Sequence, residues 1–215
     1  MTRLRPSMAG YAALAAAAVY VLMWVGYRQN WGWLHWMDWS LLSASHDVAV
    51  KHPVWLRFWE ALTNVLGPVP LRLLDTAAAV AALLRRNVRA ALVLLACGLL
   101  NGLVTQAAKG LADRPRPSTM LVAIPQTSFP SGHALETTAS LLALLAFLVP
   151  MMSATMGRIA MTVSGLILLL VGFSRVALNV HYPSDVLAGW ALGYLYVLAC
   201  LAVFRPKPLP WWAFR

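Results

Sequence analysis

Phe129-Pro130-Ser131-Gly132-His133 is a polar, turn-forming stretch that opens onto the predominantly apolar run 134–150. Pro130 and Ser131 are residues that start helices, and Gly132 lets backbone approach a ligand closely. Unpaired N–H groups and the positive end of a helix dipole then face one point, where a phosphate fits. Taken alone, the stretch reads equally as an ordinary helix cap with an interfacial histidine. The run behind it decides the fold, because it is long enough to cross the roughly 30 Å hydrocarbon core of a bilayer.

Five more runs of this kind share the chain. Its 215 residues are 60% hydrophobic and 11% charged, whereas a water-soluble domain carries about a quarter charged residues. The composition is that of an integral membrane protein. The net charge of +10 does not point to nucleic acid, because the basic residues are scattered between apolar spans and form no continuous stripe. Cys97 and Cys200 both fall inside apolar spans, where a small packing residue is the expected role and a disulfide framework is not indicated.

Six spans are expected, at about 8–26, 65–84, 90–108, 134–150, 159–174 and 185–204. The first is too long for the apolar core of a cleavable signal peptide, usually about 7–15 residues, and reads as an uncleaved anchor. Between spans one and two, tryptophans alternate with charged residues and with His35, His46 and His52. This pattern suits a helical segment at headgroup level, and the histidines have no metal-site spacing. In span two, Arg72 and Asp75 stand three apart, a spacing that permits pairing. Asn101, Thr105 and Lys109 recur at fours in span three, so this stripe is expected to face other helices or a wet cavity. Span five is short and is completed by interfacial residues. The tail, with Lys207, Trp211 and Trp212, reads as an interfacial anchor. The expected architecture is an all-α, polytopic bundle of six transmembrane helices forming a single domain over 1–215.

The positive-inside rule places Arg3, Arg5, Arg85, Arg86, Arg89, Arg158, Arg205, Lys207 and Arg215 in the cytoplasm, together with both termini. Three polar segments, 109–117, 130–133 and 174–185, then meet on the opposite side. Together they bring the cations Lys109, Arg116 and Arg175, the donors of Ser131 and Gly132, and His133, His181 and Asp185. Phosphoryl transfer spreads negative charge over equatorial oxygens, so positioned cations and N–H donors stabilise it without a compulsory metal. Of two histidines, one attacks phosphorus through a neutral ring nitrogen and the other protonates the leaving oxygen, while a carboxylate holds the attacker's tautomer. Tyr182-Pro183 argues that the last helix begins after His181, so its pairing with Asp185 needs a turn. Singly, Lys109 reads as a snorkelling anchor, Arg116 as a loop charge and His181 as a cap.

Lys109-Gly-Leu-Ala-Asp-Arg-Pro-Arg116-Pro117, Pro130-Ser-Gly-His133, and Ser174-Arg175 followed by His181 and Asp185 together resemble the three-part signature of the type 2 phosphatidic acid phosphatase superfamily, membrane branch. The resemblance implies that His181 is a nucleophile forming a phosphohistidine, that Asp185 orients it, and that His133 is the acid for the leaving group. It further implies that Lys109, Arg116, Ser131, Gly132 and Arg175 hold the phosphate oxygens, with no cofactor and no required metal. Asp113, Arg114 and Glu136 receive no role from it. The implied activity is metal-independent hydrolysis of a lipid phosphate or pyrophosphate on the extracytoplasmic face of a bacterial inner membrane. Undecaprenyl pyrophosphate, phosphatidic acid, phosphatidylglycerol phosphate and lipid A phosphate are the candidate substrates, with a slight lean to the first. A phosphate-lipid transporter or scramblase that uses the basic cluster only for binding is the rival reading.

Overall fold

In hydrocarbon every backbone N–H and C=O must find a partner within the protein, and uncharged runs of this length satisfy that demand as helices. The structure, a computed structural model, describes residues 8–205. Arg3, Arg5, Lys207, Arg215 and the anchor expected at Trp211 and Trp212 lie outside the described residues. The helices are α1 (Met8–Arg28), α2 (Gly32–Lys51), α3 (Pro53–Val65), α4 (Pro68–Leu84), α5 (Val88–Leu95), α6 (Asn101–Ala112), α7 (Gly132–Leu148), α8 (Ala154–Ala177) and α9 (Pro183–Phe204). Among the described residues six segments are long and apolar enough to cross a membrane. Large apolar side chains such as Leu14, Leu73, Leu103 and Val203 remain on the outside of the bundle, where only lipid suits them. The protein is an all-helical integral membrane protein.

Two expected boundaries are corrected. Span two was expected at 65–84, but helix occupies nearly all of 53–84, which forms one apolar segment of 32 residues interrupted at Leu66–Gly67. Pro53 and Pro68 cause this, because each stands in the first turn of its helix, where a missing N–H costs nothing. Span five is not short: α8 has 24 residues, starting behind a Ser153 cap that accepts from the N–H of Met156 and running on through Arg175. The Arg72–Asp75 pair does not form. Arg72 Nη2 instead donates to Glu136 Oε2 of α7 at 2.5 Å, and Asp75 is buried against Gly98, in a turn of π-helix between α5 and α6.

The helix α9 crosses α7 and α1 at the centre of the bundle. Gly189 and Gly193, four apart on one face of α9, allow the crossing with α7. A Cβ on Gly189 would come within 2.7 Å of the Ser131 carbonyl oxygen, and one on Gly193 within 2.6 Å of the Leu135 carbonyl oxygen. Small residues at this spacing let two membrane helices touch through their backbones. Because backbone cannot swing aside as a side chain can, Gly193→Val is expected to destabilise the bundle by about 1–3 kcal/mol. Thermal unfolding in detergent checks this; an unchanged midpoint would mean that the crossing is looser than described.

Candidate active site

The crossing matters because α7 and α9 begin at the same end of the bundle as α6 and α8 finish. The stripe on α6 behaves as its spacing predicts: Asn101, Thr105 and Lys109 are all buried. Asn101 Nδ2 donates to the Cys97 carbonyl at 2.5 Å, while Thr105 and Lys109 line a cavity. Lys109 Nζ donates to the Thr127 carbonyl. Asp113 then takes a left-handed conformation, φ 44°, and ends the helix, a position asparagine and aspartate tolerate better than most residues.

The cavity holds about 280 Å³, and its walls include Arg72, Lys109, Arg116, Gly132, His133, Glu136, Arg175 and His181. Arg116 reaches it from the loop 113–131, donating through Nε to the Gln126 carbonyl at 2.7 Å and through Nη1 to the Val180 carbonyl at 2.5 Å. Arg175 is buried at the end of α8, its Nη1 donating to Thr63 Oγ1 at 3.2 Å, while its Nε has no hydrogen-bond partner. A buried guanidinium N–H left unpaired is a donor held ready for an anion. A Cβ on Gly132 would sit 3.0 Å from Thr105 Cγ2 and about 4.0 Å from Lys109 Cε, filling the cradle. Ser131 does not line the cavity. It is fully buried, its Oγ capping α7 by accepting from the Ala134 N–H at 3.5 Å and its own N–H donating to the Asp185 carbonyl at 2.9 Å.

The turn required between His181 and Asp185 is present. Asn179 adopts φ 54°, reversing the chain after α8, and the N–H groups of Val180 and His181 both donate to the Arg175 carbonyl. His181 is thereby buried, with Nδ1 at 3.4 Å from Asp185 Oδ2 and Nε2 at 3.2 Å from Arg116 Nη1. Burial drives the pKa of His181 down to about 3, against the opposing pull of Asp185. The ring is neutral at pH 7. With a proton on Nδ1 towards the carboxylate, its Nε2 lone pair faces the cationic cavity. Burial likewise lowers the pKa of Arg116, which stays protonated.

Two residues given no role by the sequence are central. Arg114 is buried behind Asp185, donating from Nη1 to Asp185 Oδ1 at 2.6 Å and to Ser184 Oγ at 2.8 Å, and from Nη2 to Asp38 Oδ2 at 2.7 Å. Glu136 lines the cavity and holds Arg72 at its wall. The proximity of Arg114 to the motif residue Arg116 was the available signal, but its partner Asp38 lies 76 residues away. Among the described residues no three His, Cys, Asp or Glu side chains gather as a metal site requires.

Known proteins supply the context. The profile of the PAP2 superfamily matches residues 90–208. Phosphatidylglycerophosphatase B of Bacillus subtilis is 37% identical over 97 residues, 43% of this chain and 47% of that protein. Decaprenylphosphoryl-5-phosphoribose phosphatase of Mycobacterium tuberculosis is 40% identical over 95 residues, 40% of this chain and 45% of that protein. The chain thus spans about half the length of the curated relatives it matches. The crystal structure of a transmembrane PAP2-type phosphatidylglycerolphosphate phosphatase from Bacillus subtilis superposes with a TM-score of 0.76 at 25% identity, covering 90% of this chain and 96% of that one. With the profile covering more than half of its length, including all three motif segments, the chain belongs to the PAP2 superfamily.

Proposed function

We propose that the chain is a lipid phosphatase that hydrolyses the phosphate or pyrophosphate of a membrane lipid through a phosphohistidine on His181. The observation that carries this reading is the placement of His181, backed by Asp185 at 3.4 Å and facing a cavity walled by Lys109, Arg116 and Arg175. His181 Nε2 attacks phosphorus as the bond to the lipid oxygen breaks, and His133 gives that oxygen a proton. Water then attacks the phosphohistidine, losing a proton to His133, and inorganic phosphate leaves as the N–P bond breaks. Lys109, Arg116, Arg175 and the Gly132 backbone neutralise the phosphoryl oxygens, and Ser131 contributes by holding the start of α7 in place.

The cavity admits a phosphorylated headgroup, so the lipid chains stay in the bilayer. Val69 lines the cavity and is exposed, with Leu73 one turn further along α4, and the chains lie against this face. Arg85, Arg86, Arg89, Arg158 and Arg205 occupy the helix ends opposite the cavity, which supports an extracytoplasmic site with both termini in the cytoplasm of a bacterial inner membrane. The relatives' names favour a lipid phosphate such as phosphatidylglycerol phosphate.

The test is phosphate release by detergent-purified protein, with EDTA present, from phosphatidylglycerol phosphate, phosphatidic acid, undecaprenyl pyrophosphate and lipid A phosphate. Release from at least one is expected. Silence on all four, with lipid restored to folded protein, would overturn the reading in favour of binding or transport.

A further inference from the structure

A buried arginine between two buried carboxylates is an expensive arrangement unless each charge is matched and hydrogen-bonded. Arg114, Asp38 and Asp185 meet that condition. Asp38, on α2, accepts from Arg114 Nη2 at 2.7 Å and from Ser184 Oγ at 2.7 Å through Oδ2, and from the Ser184 N–H at 2.9 Å through Oδ1. It therefore caps the first turn of α9 from another helix, satisfying an N–H that has no partner within α9. Asp185 Oδ1 accepts from Arg114 at 2.6 Å, and its Oδ2 accepts from the Tyr182 N–H at 2.9 Å and from Ser128 Oγ. The guanidinium lies over the Tyr182 and Tyr27 rings, 3.9 and 4.7 Å from their centroids, so stacking fixes its plane as well as its charge. Burial works against the charged form of Arg114, but Asp185 and then Asp38 outweigh it and raise its pKa above the ordinary value.

We infer that Arg114 and Asp38 are positioning residues for the phosphohistidine nucleophile, joined to it in a buried chain Asp38–Arg114–Asp185–His181. The inference rests on the proposed role of His181 and adds two residues outside the motif positions that the resemblance assigned. Two carboxylates and one guanidinium leave one negative charge behind a neutral His181. When Nε2 bonds to phosphorus with Nδ1 still protonated, the ring becomes cationic and the chain becomes neutral overall. Arg114 alone would draw the charge of Asp185 away from the ring; Asp38 takes up half of the guanidinium and returns that charge to His181. Docking of α2, a helix outside the motif segments, is in this way a condition for an oriented nucleophile.

The groups facing His181 are Asp185 of α9, Arg116 of the loop, Arg175 of α8 and His133 of α7, all unchanged in Asp38→Asn and Arg114→Gln. Removing the negative charge of Asp38 lowers the proton affinity of His181, and removing the positive charge of Arg114 raises it. The experiment is ¹⁵N-histidine NMR of His181 against pH in detergent, with kcat and KM measured on the same preparations. Titration of His181 is expected to move to lower pH in Asp38→Asn and to higher pH in Arg114→Gln. In each, kcat is expected to fall on the order of 10–100-fold with KM little changed, as for supporting residues elsewhere, with partial recovery in Arg114→Lys.

A role in packing alone would move neither the tautomer nor the titration of His181 in opposite directions. Folded variants with wild-type His181 spectra would overturn the inference. Asp38→Asn keeps an acceptor for the Ser184 N–H but turns its NH₂ towards Arg114 Nη2. Arg114→Lys, which keeps a cation between the two carboxylates, decides the matter where a neutral variant does not fold, and wild-type kcat and His181 spectra in it would overturn the inference. Failure of the wild type to release phosphate overturns the enzymatic reading instead, since the spectra report the chain without turnover.

Discussion

His181→Ala is expected to lose phosphate release by a factor on the order of 10⁴ or more while remaining folded and able to bind a phosphorylated lipid. The size of the loss follows from the geometry. Lys109, Arg116 and Arg175 surround the cavity independently of the imidazole, so electrostatic capture of the headgroup survives. The imidazole of His181 is the group there with Asp185 at 3.4 Å behind it. Phosphate release assayed against headgroup binding on size-excluded protein separates the two quantities. Binding lost in parallel with turnover would show that the substitution collapsed the cavity; turnover retained would place the nucleophile elsewhere.

The second large effect is expected from Asp185→Asn, which changes one atom. Asp185 is fully buried and is approached by Arg114 Nη1, the Tyr182 N–H, Ser128 Oγ and His181 Nδ1. A carboxylate accepts from all of them, whereas an amide has one acceptor oxygen and turns its NH₂ against the remaining donors. With the NH₂ towards Arg114, a buried guanidinium faces a donor and loses a charge partner, at a cost of about 3–5 kcal/mol. With the NH₂ towards His181, the imidazole must accept through Nδ1 and carry its proton on Nε2, which removes the lone pair that the proposed attack uses. Either orientation fails, so both a lowered unfolding midpoint and a loss of turnover on the order of 10³–10⁴-fold are expected. Turnover near the wild-type value in a folded Asp185→Asn protein would contradict the assigned orientation of His181.

Much of the molecule was legible before its structure. Hydropathy pointed to six apolar spans, and six described segments are long and apolar enough to cross a membrane, because a bilayer imposes length and polarity on each segment separately. The stripe Asn101, Thr105 and Lys109 could be read inward because lipid offers such side chains no partner. The motif residues Lys109, Arg116, Gly132, His133, Arg175 and His181 do meet at one cavity. The misreadings share a cause. Local spacing permitted an Arg72–Asp75 pair and a second span beginning at 65, whereas Glu136 of α7 holds Arg72 and helix runs back to Pro53.

Fold class, family and the motif residues that meet at the cavity are encoded in short stretches whose meaning depends on local spacing or on the solvent. Folding was needed to show that Ser131 stays out of the cavity while Gly132 lines it, and that Arg114 and Asp38 stand behind Asp185. These depend on contacts between segments far apart in the chain, such as Asp38 and Arg114, 76 positions apart. Buried charges select their partners by distance and desolvation, and neither quantity exists until the helices have packed.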